Sequence, residues 1–197
     1  TWSSLGHRHI EIMKKIFFLV ILIFKTMVVS AEENIRLPFT QDSDKYWQYI
    51  SDRTMGGISD GGASLEQDGD MFFARLTGNV STENNGGFIQ IRTNLSFTDF
   101  EQKSEKLKGI RLNVRGNEET YHIFIRTTET RSYRDYYSTT FKATSKWTMI
   151  ELPFSEFTHR VSNNSDLEGK NIISLGIVAY GRDFVSDVSV SNIIFYY

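Results

Sequence analysis

The chain has 197 residues, with 22 basic and 24 acidic side chains, a formal net charge of −2 and 40% hydrophobic residues. That length supports one domain with a sizeable core, and the balance lacks the basic excess needed to grip the phosphate backbone of a nucleic acid. There is no cysteine, which excludes disulfides, thiolate-bound zinc, iron–sulfur clusters and thiol catalysis within the chain.

Thr1 to Ile12 precede a methionine and read as an upstream or expression-derived extension, to be kept out of fold reasoning. From Met13, Lys14-Lys15 form a basic start, Ile16 to Phe24 an apolar run and Val29-Ser30-Ala31 a small-residue cleavage site, the layout of a signal peptide over 13–31. The apolar run is interrupted by Lys25 and is shorter than the roughly 20 residues of a spanning helix. No stable membrane span is therefore expected after cleavage. A mature chain over 32–197 carries 18 basic and 23 acidic residues, a net charge of −5. The expected location is exported and periplasmic, with which the missing cysteines are compatible.

Beyond the leader, period-two alternation dominates. Lys45 to Ile50 is a short aromatic strand candidate. Ser64-Leu65-Glu66 turns through Asp68-Gly69-Asp70 into Met71 to Thr77, a hairpin with a glycine-containing loop. Phe88 and Ile91 start the next strand. Ile110, Leu112 and Val114 alternate with Arg111, Asn113 and Arg115, and Tyr121, Ile123 and Ile125 alternate with His122, Phe124 and Arg126. Further strands are expected over Tyr136 to Phe141 and Trp147 to Leu152, the latter stopped by Pro153. Phe154 to Phe157 suits one helical turn, and Ile172 to Tyr180 and Val188 to Tyr197 close the chain. No segment of 32–197 sustains a helical stripe, so the sequence predicts a single all-β domain of about nine or ten strands, a two-sheet β-sandwich.

The stretch from Asp52 to Thr93 carries the candidate site. Asp52-Arg53-Thr54-Met55-Gly56-Gly57 precedes a hairpin and Glu83-Asn84-Asn85-Gly86-Gly87-Phe88 follows it. Paired glycines mark tight corners or close backbone approach, and the acidic and amide residues beside them either bond local backbone or form a polar site on one rim. Asp52 and Glu83 are the one carboxylate pair worth testing for glycoside chemistry, which needs two such groups across a cleft. Gly57-Ile58-Ser59-Asp60-Gly61 has the letters of a nucleophile elbow, but a strand follows it where that motif needs a helix. Hard oxygen ligands for calcium exist in Asp68-Gly69-Asp70 and Asn163-Asn164-Ser165-Asp166, neither matching an EF-hand loop. Arg126, Arg131, Tyr133, Arg134, Tyr136 and Tyr137 interleave guanidinium and aromatic groups, suited to sugar faces or to a protein partner.

These blocks, together with Arg92-Thr93, the run Gly109 to Gly116, Trp147 to Phe154 and Ile173-Ser174-Leu175-Gly176, resemble the complex I intermediate-associated protein 30 family over most of Phe39 to Tyr197. The resemblance implies a galactose-binding-like jelly roll with no established catalytic activity. In mitochondrial members it implies a chaperone-like part in assembling respiratory complex I. The leader departs from that pattern, being neither Arg-rich nor amphipathic like a transit peptide. The reading that follows is an exported, non-enzymatic protein-interaction or assembly-factor-like module. Its expected partner is a protein, such as a respiratory-complex subunit, and no cofactor or metal is expected. Carbohydrate binding at the sandwich edge is the alternative, and glycoside hydrolysis stands behind both. The candidate binding residues are Asp52, Met55, Glu83, Asn84, Asn85, Arg92, Arg126 and Tyr136.

Overall fold

The computed structural model describes residues 34–37, 39–95, 100, 106–164, 166–168 and 170–197; the extension and leader expected over 1–31 lie outside the described residues. Twelve strands are described. They are β1 (Ile35–Leu37), β2 (Trp47–Ser51), β3 (Asp60–Asp68), β4 (Met71–Val80), β5 (Phe88–Asn94), β6 (Gly109–Gly116), β7 (Thr120–Thr127), β8 (Tyr137–Lys142), β9 (Thr148–Pro153), β10 (Thr158–His159), β11 (Ile172–Tyr180) and β12 (Phe184–Tyr196). They form two antiparallel sheets. The first has the order β3-β4-β12-β6-β9, with β1 also paired to β12, and the second has the order β10-β8-β7-β11-β5-β2.

This is the all-β, two-sheet sandwich that alternation predicts, and β11 spans the expected Ile172–Tyr180. Two short strands, β1 and β10, were not expected, because three and two residues cannot display a period. The hairpin strand β3 begins earlier than expected, running through Gly61-Gly62. Gly61 faces Gly78 across the ladder, and a Cβ on Gly61 would lie 2.9 Å from the Gly78 Cα. Gly61 and Gly78 therefore serve close strand approach at that point.

Side chains alternate between the core and an outer face on every central strand. From the first sheet, Leu76, Ile110, Leu112, Val114, Val188 and Val190 point inward. From the second, Ile89, Ile91, Ile123, Ile125, Leu175 and Ile177 meet them, all fully buried in one cluster. Tyr121 is also in the core; its hydroxyl donates to Asn117 Oδ1 (2.6 Å) and accepts from the Asp187 amide (2.8 Å), so no polar atom is stranded there.

The two outer faces differ. On the first sheet every outward arginine of the central strands has an acid. Arg75 holds Asp187 through two bonds of 2.8 Å, Arg111 holds Glu151 at 2.7 Å, and Arg115 sits 3.5 Å from Asp68 and over the rings of Phe73 and Trp147. The second sheet's outer face has a different composition, and it carries a separate apolar cluster built on Phe124, Tyr136 and Val178.

Candidate functional site

The two glycine corners do converge, and they converge on one buried carboxylate. Asp52 opens a 3₁₀ turn, Asp52–Met55, closed by Gly56 in the left-handed region (φ 90°), and its side chain turns inward to full burial. Oδ1 accepts from the Ser59 amide (3.0 Å), and Oδ2 accepts from the Ser59 hydroxyl (2.5 Å), the Gly87 amide (2.6 Å) and the Phe88 amide (3.1 Å). A Cβ on Gly86 would sit 2.6 Å from Oδ2, and one on Gly57 would strike the same carboxylate. Both glycines are therefore required by the close approach.

Burial alone would raise the Asp52 pKa, but the hydroxyl and the three amides outweigh it and hold the carboxyl below its ordinary range, as donors to the charged form do. The group is ionised and surrounded by donors. Glycoside hydrolysis by an Asp52–Glu83 pair needs both carboxyls to reach the scissile bond, and Asp52 is fully buried with both oxygens taken by the Ser59, Gly87 and Phe88 donors. Ser59 is equally committed. It is buried, bonded to Asp52, and its Oγ accepts from the Ser81 amide at 3.0 Å, so the elbow-like letters describe a clamp.

Met55 is 46% exposed beside this corner. Glu83, Asn84 and Asn85 form a second, exposed 3₁₀ turn. Asn84 and Asn85 have φ of 55° and 59°, a conformation that asparagine tolerates better than most residues. Arg92, Arg126 and Tyr136 form a separate group on the outer face of the second sheet. Phe88 joins the two groups, because its amide binds Asp52 and its ring packs on the outer cluster.

The register maps that face. One row crosses β5, β11 and β7 as Asn94, Ser174 and Arg126, and the next runs Gln48, Arg92, Gly176, Phe124 and Ser138 from β2 to β8. A third row runs Ile50, Gln90, Val178, His122 and Thr140. Phe88 and Tyr180 pair in the last. Tyr136 stacks on Phe124 at 4.0 Å, Tyr180 meets Phe124 edge-on at 5.5 Å, and the Arg126 guanidinium lies 5.7 Å from the Tyr136 ring centre. At the other end a groove of about 400 Å³ is lined by Lys45, Tyr46, Gln48, Arg92, Arg126 and Ser174, among others.

Buried polar atoms without a hydrogen-bond partner are uncommon in folded proteins. Among the described residues six side-chain atoms are in this state, and three of them, Gln90 Oε1, Arg126 Nη1 and Ser174 Oγ, belong to this face. Burial, and then the like charge of Arg92, push the Arg126 pKa down. His122 is pushed down by burial and by Arg182, and it packs edge-on against Phe124 and Tyr180. That keeps it neutral at physiological pH and makes it part of the aromatic wall. Gln90 and Ser174 were missed as candidates because single uncharged polar residues within apolar strands raise no alarm. Their even spacing from Arg92 and Gly176 placed them on the outer face all the same.

One further constellation has the right chemistry in its letters. His159 contacts Asp135 through Nε2 (2.6 Å) and Ser162 through Nδ1 (2.8 Å). The Ser162 amide also donates to Nδ1 (3.1 Å), and the Ser162 hydroxyl donates to Asn164 Oδ1 (2.7 Å). The nitrogen that would act as base already accepts a backbone proton, and the hydroxyl is turned to Asn164. The array fixes a turn. Beside it, the calcium candidate Asp166 accepts from the Tyr137 hydroxyl at 2.7 Å.

No curated protein matches the chain. Among solved structures it is similar to the family 11 carbohydrate-binding module of a cellulosomal cellulase of Clostridium thermocellum. The TM-score is 0.65 at 16% identity, over 83% of this chain and 94% of that one. The same family 11 module in complex with a β-1,3-1,4-mixed-linked tetrasaccharide gives 0.64 at 17%, over 83% and 95%, and its solution structure gives 0.60 at 17%, over 86% and 98%. At such identities the likeness shows the fold. The family model for Complex I intermediate-associated protein 30 matches residues 37–187, and the chain belongs to that family.

Proposed function

We propose that the chain is a non-catalytic binding module of the assembly-factor type, exported to a periplasm, which holds a protein partner on the outer face of its second sheet. Membership of the family supports the protein partner. The observation that carries the location is the concentration of unpartnered buried polar atoms on that face, since such atoms are costly unless a partner completes them. The exposed Met55 and the Glu83–Asn85 turn form the rim next to Phe88. The partner expected from the family is a respiratory-complex subunit. Cross-linking mass spectrometry on cells expressing the full chain tests this. Cross-links from Lys45 and the Glu83–Asn85 rim to respiratory subunits are the expected result, and cross-links confined to the first sheet's outer face would end the reading.

Carbohydrate recognition is the second reading, and one observation favours it. The face mixes an unpaired acceptor (Gln90), an unpaired donor (Arg126) and a hydroxyl (Ser174) next to stacked aromatic rings. Sugars present the same mixture of hydroxyl donors and acceptors around an apolar ring face.

A further inference from the structure

We infer that the groove flanked by Arg92 and Arg126 is a subsite for a uronic acid residue, binding the sugar carboxylate through the guanidinium pair and a ring hydroxyl through Ser174. This deepens the carbohydrate reading and rests on it. Three cationic side chains line the groove and no acidic one does. Lys45 is engaged with Asp42 at 2.6 Å. Arg126 gives Nη2 to the Tyr133 carbonyl (3.1 Å) and keeps Nη1 buried without a partner. Among the described residues Arg92 has no acidic partner, whereas Arg75, Arg111 and Arg115 on the opposite sheet all do.

Two adjacent guanidiniums in a half-buried groove repel each other, and a carboxylate between them removes that cost through charge-assisted hydrogen bonds. A carboxylate alone cannot complete the site. Ser174 Oγ lies in the row beside Arg126, lines the groove and has no partner, so the ligand must bring a hydrogen-bonding group within a few ångströms of its acid. A uronate carries ring hydroxyls at that separation. An acidic peptide brings backbone N–H groups as donors but no saturated ring face for the aromatic cluster that Phe124 and Tyr136 build on the same outer face. Gly176 lies between Arg92 and Phe124 in the neighbouring row, and a Cβ there would sit 3.0 Å from Gln90 Oε1. The groove volume, about 400 Å³, suits one or two sugar units.

Isothermal titration of the full chain with digalacturonate, with the neutral digalactose and with triglutamate tests this. Digalacturonate should bind at least about tenfold more tightly than digalactose, and Arg92→Gln and Arg126→Gln should each weaken it about tenfold or more, the loss expected for a charged hydrogen bond. Ser174→Ala should weaken both saccharides. Thermal melts accompany each variant; should Arg126→Gln unfold, Arg92→Gln, whose side chain is half-exposed, carries the test. Equal binding of the two saccharides, indifferent to both arginine variants, overturns the uronate assignment and leaves the carbohydrate reading standing. Preference for triglutamate overturns it in favour of an acidic protein segment. Binding of neither saccharide ends the inference and the carbohydrate reading together.

Discussion

Asp52 is the residue on which the first corner depends, and its role is mechanical. Its two oxygens gather one hydroxyl and three amides from Ser59, Gly87 and Phe88. Asp52→Asn preserves volume but turns an acceptor into a donor facing other donors, so it should cost about 2–4 kcal/mol, the scale for losing charged hydrogen bonds and stranding buried donors. Urea unfolding measures it. The sign of the pH dependence follows from the depressed folded-state pKa. The carboxylate's contribution is fully present above the unfolded value of about 3.9 and is lost as the pH falls through the lower folded value. The difference in melting temperature between wild type and Asp52→Asn should thus stay constant from pH 7 to about pH 5 and narrow below about pH 4. A gap that widens on acidification would contradict the assignment. Paired glycines beside an acid were legible in the sequence. The inward turn of that acid was not, because a partner amide lies 35 residues along the chain.

At the scale of elements, legibility followed length. Each strand of six or more residues was expected at least in part, from alternation or from its apolar run, though β3 was read only at Ser64-Leu65-Glu66 and β12 only from Val188, and the rows on the outer face follow from alternation once pairing is known. Pairing itself is tertiary, so no local pattern announced that Gln90, Ser174 and Arg126 share a surface. Irregularities were equally hidden. β12 pairs with β6 in a register that slips between Ser191 and Ile194, and Asn192, exposed and at φ 50°, takes up the extra residue. This bulge lets one strand keep a buried face on both sides of the slip. Asn192→Val should destabilise by about 1–2 kcal/mol, the cost of a left-handed conformation for an ordinary side chain, while Asn192→Gly should be close to neutral. Chemical denaturation of the pair distinguishes backbone strain from lost packing, since the side chain is already in solvent.

For the whole molecule, the sandwich assigns different work to its two outer faces. The first sheet's face is closed by its own ion pairs and by Arg115 between Phe73 and Trp147, and the second keeps its polar groups open. The same two-sheet frame serves both because each strand's outward positions are independent of its inward ones. The strand β12 lies at the middle of the first sheet and pairs with β4, β6 and β1, all of which precede it. A nascent chain that has reached Asp183 therefore owns two separate hairpin-like pieces, β3-β4 and β6-β9, with an unfilled slot between them. Chains stopped there should be cut rapidly by thermolysin under native conditions, whereas the full chain resists. Assembly of this sheet waits for the ribosome to deliver Phe184 to Tyr196, and until then its hydrophobic inner face has nothing to close against.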